Sequence, residues 1–193
     1  MRQLILVRGK RKLRPSRSRA WSIVGLMILL IFVMLPMTPF LWERGVALIG
    51  TEFHKIGYVV SFLLLIFLGS LMVRHRRRHG LLNIAALAAL GLVYAYWLRY
   101  QCKFPAERLH LIEYGFLAFF SYQALSIDFS RLVSLALAFL FSCGIGITDE
   151  LIQYALPNRK CELRDIMTNL IGAGLGILVV ALLKTGSDRV LPE

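Results

Sequence analysis

Apolar residues in this chain come in long runs, at roughly 21–41, 57–73, 81–98, 109–126, 132–154 and 166–183. Runs of about twenty residues rise about 30 Å as helices, which matches the hydrocarbon core of a bilayer. The second and fourth runs are the shortest, so their edges are the softest. The pattern predicts an all-α, polytopic transmembrane helix bundle of about six helices. The loops between the later runs are short, which makes consecutive helices antiparallel neighbours. A basic head precedes the first run, as in a secretory signal. The run is longer than a signal's apolar core, however, and "MLPMTPFLWERG" offers no small-x-small cleavage site, so it reads as a retained helix.

Composition agrees: 58% of residues are hydrophobic and the mean hydropathy is +0.66, far above the globular norm. The net charge of +12 changes the picture only through its distribution. Eight of the 23 Lys and Arg residues lie in "MRQLILVRGKRKLRPSRSRA" and four in "RHRRRHG". With Arg131, Lys184 and Arg189 they put 15 basic residues on one side of a six-helix arrangement and eight on the other. The positive-inside rule then makes both termini cytoplasmic. The acids Glu43, Glu52, Glu107, Glu113, Asp149, Glu150, Glu162 and Asp165 take the opposite face. The basic excess thus points to topology and contact with anionic inner-leaflet lipid, not to nucleic acid.

Three polar clusters fall at one depth near the outer face. Helix four opens with Glu107, Arg108, His110, Glu113 and Tyr114; helix five closes with Thr148, Asp149, Glu150 and Gln153; helix six opens with Arg164, Asp165 and Asn169. At 100° per residue, Asp149, Glu150 and Gln153 share an arc of about 100°, and His110 and Tyr114 share a face. Asp165, Asn169, Gly172 and Gly176 form a stripe on helix six that turns from polar to glycine, with a GxxxG step suited to close helix packing in lipid. Ionisable groups in a bilayer cost roughly 2.5–3.5 kcal/mol each even on the lenient insertion scale, so their gathering points to a shared site. Simpler readings stand beside this one. Asp165 would cap helix six, Glu107 and Arg108 would be solvated rim charges, and Arg159 or Arg164 would hold the acidic pair to lock the bundle.

The remaining features are quieter. Glu43, Glu52, His54 and Lys55 read as a solvated outer connection, and Tyr94, Tyr96, Trp97 and Tyr100 as an interfacial aromatic belt. Of the three cysteines, Cys143 reads as core filling; a Cys102–Cys161 bridge in the outer loops stays open. There is no Gly-rich phosphate loop, no GxSxG and no HExxH, and no cofactor is expected.

The pairing of "ERLHLIEYGFLAFF" with "DELIQYALPNRKCELRDIMTNLIGAGLG" resembles the VanZ-like family of bacterial integral membrane proteins. The matching positions are His110 and Tyr114; Asp149, Glu150 and Gln153; Arg159; and Asp165, Asn169 and Gly172. Glu107-Arg108 stands where many relatives carry an Asp-Lys pair. The resemblance covers about residues 81–184. The chain then divides into a basic cytoplasmic segment (1–20), a two-helix extension (21–80), a VanZ-like four-helix core (81–184) and a short cytoplasmic tail (185–193). It implies residence in the bacterial cytoplasmic membrane and a link to resistance against the glycopeptide teicoplanin, with no assigned reaction.

Two functions lead, ahead of a proton- or ion-coupled transporter, which the confinement of the acids to one face disfavours, and of an interaction protein steadying an envelope complex. A membrane accessory protein would bind a polar, cell-envelope-derived ligand at the outer leaflet through His110, Tyr114, Asp149, Glu150, Gln153, Arg159, Asp165 and Asn169. Alternatively, a membrane-embedded enzyme would act on an envelope lipid or peptide, with any metal held by His110, Glu113, Asp149, Glu150 and Asp165. An intramembrane protease of the CAAX type would place Arg four residues after Glu150, where this chain has Tyr154. Membrane lipids are the expected partners; the oligomeric state is not written in the sequence.

Overall fold

The first helix, α1 (Arg17–Ile49), begins where the Ser16 side chain accepts a hydrogen bond from the Arg19 amide and ends at Gly50, whose φ of 77° only glycine adopts without strain. Pro36 and Pro39 interrupt its ladder, and the Thr38 hydroxyl takes up the Met34 carbonyl nearby. A 3₁₀ segment, Gly50–Lys55, leads into α2 (Ile56–Arg74), followed by α3 (Arg76–Tyr96). A π-helical turn, Trp97–Gln101, extends α3 before α4 (Pro105–Leu125), α5 (Arg131–Ala155) and α6 (Leu163–Thr185). This is a computed structural model, which describes residues 16–74, 76–102, 105–156 and 162–185. Arg159 and Cys161, and with them the proposed Cys102–Cys161 bridge, lie outside the described residues.

Among the described residues, four helical stretches are long and apolar enough to cross a membrane: Arg17–Ser70, which takes in α1 and most of α2, then Leu81–Gln101, Arg131–Ala155 and Leu163–Lys184. Helix α4 is not among them, because Glu107, Arg108, His110 and Glu113 crowd its first turns. Large apolar side chains such as Leu26, Leu81, Leu132 and Leu151 point outward all round the bundle. In water such a surface would drive aggregation; in a bilayer it meets its own kind.

Contacts fix how the helices run. Ser61 meets Tyr94 and Leu65 meets Gly91, so α2 and α3 are antiparallel. Leu111 faces Gly172 and Gly115 faces Gly176, so α4 and α6 are parallel. Arg131 meets Ala181 while Gly146 meets Asn169, so α5 and α6 are antiparallel. Helix α6 is therefore central, touching α3, α4 and α5. Its glycines permit this: a Cβ on Gly172 would stand 2.6 Å from the Leu111 carbonyl oxygen, and one on Gly176 would press on the Gly115 backbone. In lipid such close approach replaces the hydrophobic effect as the force between helices. Behind α4, a cluster of Ala20, Val24 and Ile31 of α1 with Tyr114, Leu117 and Ala118 completes the core, and Cys143 packs within it.

Candidate functional site

The geometry that brings α4, α5 and α6 together also stacks their polar ends. Asp149, Glu150 and Gln153 occupy the last two turns of α5 and are almost wholly withdrawn from the surface, at 0%, 0% and 2% exposure. The Tyr114 hydroxyl of α4 donates to Asp149 Oδ2 at 2.8 Å. Gln153 Nε2 donates to Asp149 Oδ1 at 3.2 Å and reaches Glu150 Oε1 at 3.4 Å. Asp149 is thus held from both sides. His110, one turn before Tyr114, puts Nδ1 3.3 Å from Glu113 Oε2 and 3.7 Å from Asp149 Oδ2.

From α6, Asn169 Nδ2 donates to the Gly146 carbonyl of α5 at 3.3 Å. Gly146 makes that meeting possible, since a Cβ there would lie 2.9 Å from Asn169 Cβ and 3.2 Å from the Tyr114 ring. Asp165, one turn before Asn169, lies within electrostatic reach of Glu150. The structure therefore gathers His110, Tyr114, Asp149, Glu150, Gln153, Asp165 and Asn169 in one largely buried polar cluster at one end of the bundle.

Four buried atoms here make no hydrogen bond among the described residues: Glu150 Oε2, Asn169 Oδ1, Asp165 Oδ1, which faces Arg164 Nε at 3.8 Å, and His110 Nδ1, which stands 3.3 Å from Glu113 Oε2. They come from three helices. A buried acceptor without a donor costs about 1–3 kcal/mol. Among the described residues, no three His, Cys, Asp or Glu side chains are grouped so as to hold a metal ion.

The rim corrects one expectation. Glu107 and Arg108 are not solvated charges: they are 3% and 9% exposed. Glu107 accepts from Arg164 at 2.7 Å, and Arg164 also reaches Glu162 at 2.8 Å and lies 3.8 Å from Asp165. Arg108 donates to the His54 carbonyl at 2.7 Å and stacks on the Tyr58 ring, 3.9 Å from its centre. Two arginines therefore pin α6 and the 3₁₀ segment to the head of α4. His54 is pinned with them, stacked on Trp42 and accepting its indole N–H at 3.0 Å; Glu52 and Lys55 do form an exposed pair.

The aromatic belt is corrected too. Tyr96 and Tyr100 face outward, but the buried Tyr94 donates to Ser61 at 2.8 Å and Trp97 donates to Thr168 at 3.1 Å. Trp97 and the fully buried Thr168 are neighbours of the site that sequence reasoning missed, although Thr168 stands one turn after Arg164 and its hydroxyl bonds the Arg164 carbonyl. The π-helical turn, closed by the Cys102 amide on the Trp97 carbonyl at 3.1 Å, sets Trp97 at that position. Cys102 just beyond it is buried; burial first, then the charge of Glu107, pushes its thiol up to about 12, so it is no nucleophile at neutral pH.

Comparison with curated proteins and with solved structures gives no match. A family model described as VanZ/LLP1 matches residues 20–184, beginning ahead of the motif-bearing stretch and taking in α1 and α2. With the motif residues of α4, α5 and α6 assembled in one cluster and apolar helices around them, the chain belongs to the VanZ/LLP1 family and is a membrane protein.

Proposed function

We propose that the polar cluster where α4, α5 and α6 meet binds the polar headgroup of a cell-envelope lipid or lipid-linked ligand at the outer face of the bacterial cytoplasmic membrane. The observation that carries this reading is a pair of buried acceptors that make no hydrogen bond, Glu150 Oε2 and Asn169 Oδ1, beside the Asp165 carboxyl and His110. A core built only for stability would have paired them or replaced them by apolar groups. Such acceptors suit a hydroxyl-rich or zwitterionic group better than a bare phosphate, which brings acceptors of its own. Tyr114 and Gln153 hold the Asp149 carboxylate in place, and the Arg164–Glu107 pair closes the rim. The family's link to glycopeptide resistance fits a ligand of the envelope surface.

The orientation is part of the same reading. Six crossings are the reading of the apolar runs and cytoplasmic termini that of the charge bias, and the directions of the helices support both. Arg17 pairs with Asp128, Arg131 bonds Ala181 and Lys184 lies over Tyr122, all at the end opposite the cluster.

The test is photo-crosslinking in native membranes with a diazirine-bearing polar lipid extract of a bacterial envelope. Glu150→Gln and Asp165→Asn keep shape and burial while removing an acceptor charge. Labelling of the cluster peptides should fall in both variants; undiminished labelling in both removes the proposal.

A further inference from the structure

A concavity lies on the other side of α4 and α6 from the polar cluster. It is a groove of about 670 Å³ between α2, α3, α4 and α6, walled by Leu68, Leu87, Ile112, Leu175 and Val179 among others. That is within the range of about 300–1,000 Å³ typical of ligand-holding cavities. Its one hydroxyl, from Tyr94, is already committed to Ser61, which in turn bonds the Gly57 carbonyl. Among the described lining residues nothing polar is left to orient a headgroup or to hold water, so this part of the groove suits hydrocarbon.

Its length bears on which hydrocarbon. Along α6 the wall runs from Gly172 to Leu183, about 16 Å at 1.5 Å per residue. An extended acyl chain matches that length, since about 16 Å is about the depth of one leaflet of a 30 Å core. The rim is continuous with the lipid-facing surface, since Phe67 and Phe116 both line the groove and stand exposed.

The glycines point the same way. A Cβ on Gly69 would meet nothing within 4 Å, and one on Gly91 would meet only Leu65 Cδ2 at 3.7 Å. Helix contact does not require glycine at either position, unlike Gly172 and Gly176. What their bareness does is leave the groove open.

We propose that this groove is a lipid site holding one acyl chain of a bilayer phospholipid. The site is independent of the polar cluster, because the close α4–α6 contact of Leu111 with Gly172 and Gly115 with Gly176 stands between them. One can fail without the other.

The experiment uses the full chain in vesicles of phosphatidylethanolamine and phosphatidylglycerol, with a trace of phosphatidylglycerol bearing a diazirine near the end of one acyl chain. After irradiation, labelled residues are mapped by mass spectrometry. Label should concentrate on Leu68, Leu87 and Val179 relative to the outward-facing Leu132 and Leu140. In Gly91→Leu it should be largely lost from the groove, because the leucine side chain takes the space the acyl chain would fill, and stay unchanged at Leu132 and Leu140. Should Gly91→Leu aggregate on size exclusion, Gly69→Leu fills the groove from α2. Groove label no denser than at Leu132 and Leu140, or undiminished in the folded, filled variant, overturns the proposal.

Discussion

Asp149 shows how single residues hold the site. Its carboxylate is fully buried and depends on the Tyr114 hydroxyl and the Gln153 amide for its hydrogen bonds. Tyr114→Phe keeps the ring and deletes one donor, so it should cost about 1–3 kcal/mol, read as a lower Tm in detergent; an unchanged Tm would mean the bond is not formed. The rim offers a paired test. Arg164 joins a buried Glu107 and a more exposed Glu162, whose side chains are 4% and 40% exposed. Glu162→Gln should therefore change stability by less than about 1 kcal/mol, whereas Arg164→Gln, which strips a guanidinium from the buried Glu107, should cost about 2 kcal/mol or more. At this scale the sequence was legible where spacing alone decides a face. Seven of the named site residues meet because they recur at three and four on three helices. Glu107 and Arg108 misled because they open a helix, where charges are usually wet. Their burial comes from Arg164 and from the His54 carbonyl and Tyr58 ring, partners 57, 54 and 50 residues distant in the chain. The Trp97 and Tyr94 error was avoidable: at three apart they share a face, and Tyr96 with Tyr100 share another.

Among the elements, α6 sets the arrangement. Its Gly172 and Gly176 let α4 lie alongside in parallel, and this brings Asn169 and Asp165 beside α5. The GxxxG step announced a close approach but not its partner, because small residues on a helix state how near a neighbour comes and not which neighbour it is. Gly172→Val should therefore destabilise the bundle by about 1–3 kcal/mol or prevent its assembly, since the Leu111 carbonyl it would strike is main chain and cannot turn aside. Gly144→Ala on α5 meets nothing within 4 Å and should be tolerated. Comparing the two by thermal unfolding in detergent separates packing from a general intolerance of substitution. The π-helical turn that presents Trp97 to Thr168 had no signature in the hydrophobic pattern, since one extra residue in a turn leaves the flanking runs intact.

Across the whole molecule, long apolar runs made the membrane class readable at once, because the surface must match its solvent everywhere. Orientation rests on charge counting, and labelling of native cysteines tests it. A membrane-impermeant maleimide added to intact cells should label Cys161 and spare Cys102, which is buried with its thiol pushed up to about 12. Labelling of Cys161 only after lysis would turn the topology over. The central claim is that the cluster of Asp149, Glu150, Asp165 and Asn169 exists to receive a donor-rich headgroup, and ligand-linked stability reports on it most directly. A ligand that binds only the folded protein raises Tm, by about 2.7 kcal/mol of added stability at one hundred times its Kd. Purified protein titrated with a polar lipid extract of a bacterial envelope should show a saturable rise in Tm that the Glu150→Gln, Asp165→Asn double variant lacks. An equal rise in both proteins, or none in the unaltered chain, would contradict the account.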